Sequence, residues 1–271
     1  MRVPASDAAA ASRGAPERAE PDVTRISPTP LAALVGFVMI AASGVAAAGP
    51  PYLTDDPEPT ETGHWEDYAP AGQASGQGAE ANGSVFVELN YGAAPNVQLT
   101  LDLPVAFSRD PSGSRVGAGD IAFSAKYRFY HDEGRGVSVA VFPGLSLPTA
   151  GEGLGAGRVT AFLPVWAQRD VGPWSVFGGG GYAINPGTGN RNYWRGGVAV
   201  ARMFGKDLQL GAEADRQGSD TVVGRASTSL GLGGVWQLRA PFRLLVSGGP
   251  TFVDGGGSVG FHAYAAVGLN F

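Results

Sequence analysis

Val259-Gly260-Phe261-His262-Ala263-Tyr264-Ala265-Ala266-Val267-Gly268-Leu269-Asn270-Phe271 carries an apolar residue at every odd position. A strand turns successive side chains to opposite faces, so this stretch has one apolar face and one face holding His262, Tyr264 and Asn270. Eleven further segments alternate clearly or in part. Strands are expected at 64–72, 84–92, 96–107, 119–130, 136–148, 157–168, 173–184, 193–204, 206–216, 221–238, 241–253 and 258–271. In the clearest, Val97, Leu99, Leu101, Leu103, Val105 and Phe107 oppose Gln98, Thr100, Asp102, Pro104 and Ala106. The pattern predicts an all-β chain.

An alternating strand that ends on an aromatic residue resembles the terminal strand by which bacterial outer-membrane barrels are recognised for insertion. That resemblance makes Phe271 a candidate assembly signal and barrel-assembly machinery an expected partner. The connectors agree with such a barrel, which has short turns on the periplasmic side and longer loops outside. Outer loops are expected at 73–83, 108–118, 149–156, 185–192, 217–220 and 254–257. Turns are expected at 92–95, 131–135, 169–172, 205 and 239–240. Twelve strands satisfy the even-number rule, as ten or fourteen also would. Aromatic residues gather at both strand ends, as interfacial girdles do. Tyr91, Phe129, Trp174, Phe204, Trp236, Phe242 and Phe271 lie beside turns, and Phe107, Tyr182, Trp194, Phe252 and Phe261 beside loops. Outer-membrane lipid is therefore the expected surroundings.

Two features sit awkwardly in that scheme. Pro104, Pro143 and Pro164 fall within expected strands, where each removes a ladder donor, so bulges or strand ends are required there. Arg202 and Arg216 fall on the lipid face by parity, though near strand ends.

Composition narrows the function. The 271 residues include 43 glycines and no cysteine, which removes disulfides and thiolate chemistry. The net charge of −5, without a basic tract, argues against a nucleic-acid partner. Leu31 to Ala42 is apolar but too short to span a bilayer as a helix, and Ser43 to Ala48 supplies a small-residue cleavage site. The expected division is an N-terminal extension and cleaved signal peptide at 1–48, an extended periplasmic segment at 49–63, and a single transmembrane antiparallel β-barrel at 64–271. A buried core helix is the competing reading of the apolar run. A start at Val23 would give a compact signal with Arg25 ahead of it.

By parity the lumen face holds Glu88, Asp102, Glu213 and Asp215 with Lys126, Arg128, Arg195, Arg225, Arg243 and His262. Such groups could line a water path or pair across it and fill it, and the residues leave pore and plug equally open. Asp55, Asp56 and Glu58 invite a cation reading, but the spacing is not that of a calcium loop and further ligands are missing. The favoured reading is an extended periplasmic stretch whose acids cap a turn, with no metal and no cofactor. No His-x-Ser pair, as in barrel lipases, accompanies His64, His131 or His262, so no catalytic residue is assigned and no enzyme is expected.

Gly49 to Thr60, reading Gly-Pro-Pro-Tyr-Leu-Thr-Asp-Asp-Pro-Glu-Pro-Thr, then Gly63-His64-Trp65-Glu66, is more distinctive than any strand. This opening resembles the outer-membrane transporter family named for a meta-pathway of phenol degradation. Its carriers here are Thr54, Asp55, Asp56, Pro57 and Trp65. Phe142-Pro143-Gly144-Leu145-Ser146-Leu147-Pro148-Thr149 is similar to that family's mid-chain stretch, with Ala150 where glycine is usual. Ala167-Gln168-Arg169-Asp170 before Trp174 is a third match. The resemblance implies a barrel of the bacterial outer membrane that moves small hydrophobic or aromatic solutes, and it favours a narrow channel. A closed structural or adhesive barrel acting through its outer loops is the alternative, and a barrel enzyme acting on lipid is a third.

Overall fold

The computed structural model describes residues 51–271. The expected export signal at 1–48 lies outside the described residues. Twelve antiparallel strands follow one another around a closed ring. They are β1 (Trp65–Gln77), β2 (Glu80–Ala94), β3 (Val97–Asp110), β4 (Gly113–Ala118 and Ala122–Asp132), β5 (Val137–Val141 and Gly144–Ser146) and β6 (Thr160–Val171). The second half is β7 (Trp174–Ile184), β8 (Tyr193–Phe204), β9 (Leu208–Gln217), β10 (Ser227–Arg239), β11 (Phe242–Val253) and β12 (Val259–Asn270). Each strand pairs with its neighbours in sequence, and β1 pairs with β12, from Glu66 opposite Asn270 to Gly76 opposite Phe261. Trp65 and Phe271 exchange backbone hydrogen bonds at the seam, at 2.7 and 3.0 Å. Around the ring no strand lacks a neighbour, as hydrocarbon requires of a spanning sheet, although the Gly113–Ala118 end of β4 pairs with β3 alone.

All twelve expected strands are present, but the first two loops are not where alternation ended. β1 and β2 continue to a tight turn at 78–79, and β3 and β4 to another at 111–112. Residues there are polar on both faces, so the period-2 signal fades although the ladder continues. Long connections remain at 147–159, 185–192 and 218–226. The opposite rim has short turns, with Asn96 and Gly172 at φ 63° and 57°, a region open to asparagine and glycine.

The three prolines lie on β3, β5 and β6, around the break in β4. Pro104 of β3 faces the break in β4 at 119–121, and its carbonyl accepts from Gly119 N at 2.9 Å. Pro143 makes the break in β5, and Pro164 of β6 accepts from Phe142 N at 3.2 Å. The missing donors thus fall where the ladder is already interrupted.

The outer wall is apolar and exposed. Val85, Leu103, Val165, Val200, Leu232 and Val246 point away from the lumen, Leu232 with 72 % of its surface free. A belt of this extent demands a hydrocarbon solvent. Arg202 lies against the rings of Trp174 and Phe204 at 5.3 and 4.9 Å, and Arg216 pairs with Asp254. Both outward cations are therefore partnered near the rims. Leu103, 42 % exposed at mid-strand, offers a direct test. Leu103→Arg should cost roughly 2–4 kcal/mol of barrel stability, whereas Gln73→Arg, facing the lumen, should cost far less. Heat-modifiable gel mobility reads the difference, and equal losses would contradict the assignment of faces.

Candidate functional site

The residues that precede β1 do not lie outside the barrel. From Pro51 to Thr62 the chain crosses the lumen as a strap, which corrects the expectation of a periplasmic segment at 49–63. On one wall, Ser247 of β11 donates to Pro51 O, and Tyr52 OH donates to Gly233 O of β10 at 3.0 Å. Glu213 of β9 accepts Leu53 N and Thr54 N, each at 3.1 Å, one on each carboxylate oxygen. On the opposite wall, Lys126 Nζ of β4 donates to Asp55 Oδ1 at 3.2 Å, Asp56 Oδ1 at 3.4 Å and Glu58 O at 3.3 Å. Arg128 pairs with Glu58 and also donates to Asn96 Oδ1. Thr60 then donates through N and Oγ1 to Gln98 Oε1 of β3, at 2.8 and 3.0 Å. Thr62 makes a parallel bridge to Gly92 before the chain turns into β1.

The sequence explains this path. Pro51, Pro57 and Pro59 keep the chain extended, so its backbone groups need partners from outside the segment. Thr54 is fully buried, Pro57 nearly so, and Asp56 and Thr60 are buried. Burial pushes the Asp56 carboxyl up to about 7; the Lys126 ammonium opposes the rise, and the Asp55 charge adds to it. Burial, and then the Glu213 carboxylate, raise the Tyr52 hydroxyl to about 12, so it stays a donor.

Glu88, Asp102, Lys126, Arg195, Asp215 and His262 line a cavity of about 940 Å³ that borders the strap. Glu88 and Asp102 stand directly opposite each other on β2 and β3. Arg195 donates to Asp215 Oδ1 at 3.3 Å. His262 Nε2 is 3.8 Å from Glu213 Oε1, and Nδ1 is 3.4 Å from Thr251 Oγ1, itself 2.9 Å from Ser229 Oγ. The hydroxyl, imidazole and carboxylate are thus near one another, but Glu213 is occupied by strap amides. Phe86, Phe142, Phe162, Trp166 and Tyr264 supply apolar wall to the same cavity, and Lys126 sits 4.8 Å from the Phe142 ring.

One expected lumen cation, Arg225, lies off the strands, and another, Arg243, points inward but into a closed corner. Arg225 is in the 218–226 loop, because β10 begins only at Ser227, and it donates to the carbonyls of Asp254 and Gly255. Arg243, 1 % exposed, is sealed at the short-turn rim against Glu66 and Tyr68, with Tyr68 OH donating to Glu66 Oε1 at 2.6 Å. Trp65 packs on Tyr91 at 4.7 Å at the same rim, and Phe271 is half exposed there.

Strand periodicity missed the strap, the polar network of Asn90, Gln98 and Thr100, and the seat of Tyr52. Thr100 Oγ1 donates to Asn90 Oδ1 at 2.6 Å, and Gln98 Nε2 to the same oxygen at 2.8 Å. One signal was available. Lys126 and Arg128 share an inward face, and the acids at 55, 56 and 58 are the matching charges at matching spacing. Among the described residues no group of three or more His, Asp or Glu could hold a metal ion.

Residues 79–267 match the model of the family described as "Putative MetA-pathway of phenol degradation". The match begins after the strap. The fold is similar to the COG4313 outer membrane channel from Pseudomonas putida F1, at 13 % identity and TM-score 0.66, covering 80 % of this chain and 98 % of that one. It is also similar to the KdgM porin, at 11 % identity and TM-score 0.51 over 76 % and 99 %. The translocator domain of the autotransporter NalP from Neisseria meningitidis aligns at 13 % identity and TM-score 0.52 over 76 % and 87 %. These likenesses are of fold. No curated protein matches the chain.

Proposed function

Because the chain belongs to the family of the MetA-pathway of phenol degradation, we propose that it is a channel of the bacterial outer membrane for small apolar or aromatic solutes. The observation that carries this reading is the lumen itself. A closed barrel retains about 940 Å³ of space, and that space joins aromatic walls to a few convergent polar groups. Small-molecule sites have this composition, whereas a merely structural barrel of twelve strands has no need of an aromatic-walled void. Passage involves no covalent step, and outer-membrane lipid and the barrel-assembly machinery are its other partners.

The strap sets the state of the channel. It fills the lumen near the short-turn rim, so a solute passes only as the strap shifts. That same filling favours the second reading, a closed structural barrel acting through its loops. Purified, heat-modifiable protein in a planar bilayer and in proteoliposomes separates them. The channel reading expects conductance and influx of a small aromatic solute, and a folded barrel giving neither would leave the structural reading standing.

A further inference from the structure

Tyr52 is seated in a recess that fits a single ring. The lumen wall beneath it is made of very small residues on adjacent strands: Ala199 and Ala201 of β8, Gly211 of β9 and Gly233 of β10. A methyl carbon at Gly211 would stand 2.6 Å from the Tyr52 hydroxyl oxygen, and one at Gly233 would stand 2.9 Å from ring carbon Cε1. Both are inside contact distance, and the same carbons would also stand 2.5 Å from Val200 O and 2.7 Å from Val246 O, so the close approach of the strands keeps both positions bare and leaves the ring its floor. Phe177 of β7 closes one side, its ring centroid 6.0 Å from that of Tyr52 and tilted by 43°. At the far end the hydroxyl donates to Gly233 O at 3.0 Å. The recess thus supplies a flat floor, an aromatic edge and one acceptor, which is the complement of a phenol.

The strap is not held by this ring alone. Pro51 O, Leu53 N and Thr54 N anchor it through backbone atoms on both sides of Tyr52. The ring can leave while the chain on either side stays docked. The lumen cavity reaches Pro51, Tyr52 and Leu53, so a solute in it meets the rim of the recess.

We propose that this recess is a binding subsite for small neutral phenols, and that Tyr52 occupies it as a tethered stand-in which a solute phenol displaces. The inference rests on the channel reading for delivery of the solute, but binding at the recess can be measured without transport. Substituents para to the hydroxyl suit it best, because Tyr52 itself enters with its backbone para to the hydroxyl. A phenolate suits it poorly, since Glu213 stands beside the ring and the acceptor at Gly233 needs a proton donor.

The probe is p-cresol, the side chain of tyrosine without its backbone, measured by equilibrium dialysis against full-length barrel in detergent. A tethered ring competes at an effective concentration of millimolar order, so Tyr52→Ala should bind p-cresol about tenfold or more tightly than the parent. Adding Ala201→Leu to that variant, which fills the recess from its floor, should return binding to the parental level or below, and p-methylanisole, which lacks the donor, should bind more weakly than p-cresol. Heat-modifiable mobility checks that each variant is folded. If Tyr52→Ala does not fold, Tyr52→Phe takes its place: it keeps the ring, loses the hydrogen bond and should also gain p-cresol affinity. No gain in the folded variant, no effect of Ala201→Leu, or equal binding of p-methylanisole overturns the proposal. Binding without solute flux would remove the channel reading and leave the subsite, while flux without binding would do the reverse.

Discussion

Lys126→Met should give a folded barrel that conducts several-fold more than the parent in a planar bilayer. Lys126 is 3 % exposed and is the common partner of Asp55, Asp56 and the Glu58 carbonyl. Methionine keeps much of the volume and the contact with Phe142 but removes the charge that compensates Asp55 and Asp56. Removing one partner of a buried ion pair typically costs about 3–5 kcal/mol, and the lower figure applies here because Asp56 can take up a proton once Lys126 is gone. That is on the order of a hundredfold or more in the docking equilibrium of the central strap. The barrel has no such dependence on Lys126, since its ladder is backbone throughout, so gel mobility should hold while conductance rises and residues 55–58 become open to protease. A folded variant with parental conductance would show that the strap does not control passage.

The parent's conductance should also rise with pH between about 5 and 8. The docked Asp56 carboxyl titrates near 7, raised by burial, whereas in a released, solvated strap it would titrate near the ordinary 3.8. Docked strap therefore holds more protons than released strap throughout that interval. A group whose docked value is raised contributes docking free energy that is fully present below its free value and lost as pH climbs through its docked value. Acid favours the closed strap and alkali the released one, by at most about tenfold in the equilibrium per pH unit. Lys126, Asp55 and Glu58 surround the group but leave the sign unchanged, since the ammonium stays charged across this range. Asp56→Asn keeps an oxygen for the Glu58 amide, which donates to Asp56 Oδ1 at 2.9 Å, and removes the titration. It should conduct little at any pH in the interval. Conductance that falls as pH rises, or an undiminished pH response in the Asp56→Asn variant, would contradict this account.

The barrel was legible because its physics is local. One wall faces lipid and the other faces a lumen, so polarity alternates along every strand, and β12 from Val259 to Asn270 states the rule almost without exception. Where both faces meet water, as at Ser75 and Ser114, the rule has nothing to act on, and the strands ran on unseen. The strap was illegible for a different reason. Proline keeps it extended, but an extended segment has no period that says whether water or a barrel surrounds it. Its location depends on pairings such as Leu53 with Glu213, 160 residues apart in sequence. Arg225 shows the same limit at a boundary, because parity gives direction on a strand but not the residue at which the strand starts.

The seam between β1 and β12 orders events in time. The ring cannot shut until the last strand reaches the first, and from then on the strap can enter only through an open end, since a closed wall admits no chain sideways. The wall is wound around its own leading segment. Yet the partners that hold that segment, Glu213, Gly233 and Ser247, belong to strands 160 to 196 residues downstream. Contacts so distant along the chain are the slowest to form. The seats are complete only once β11 has formed, one strand before the ring shuts, and a barrel that closes before the strap has found them leaks until it does.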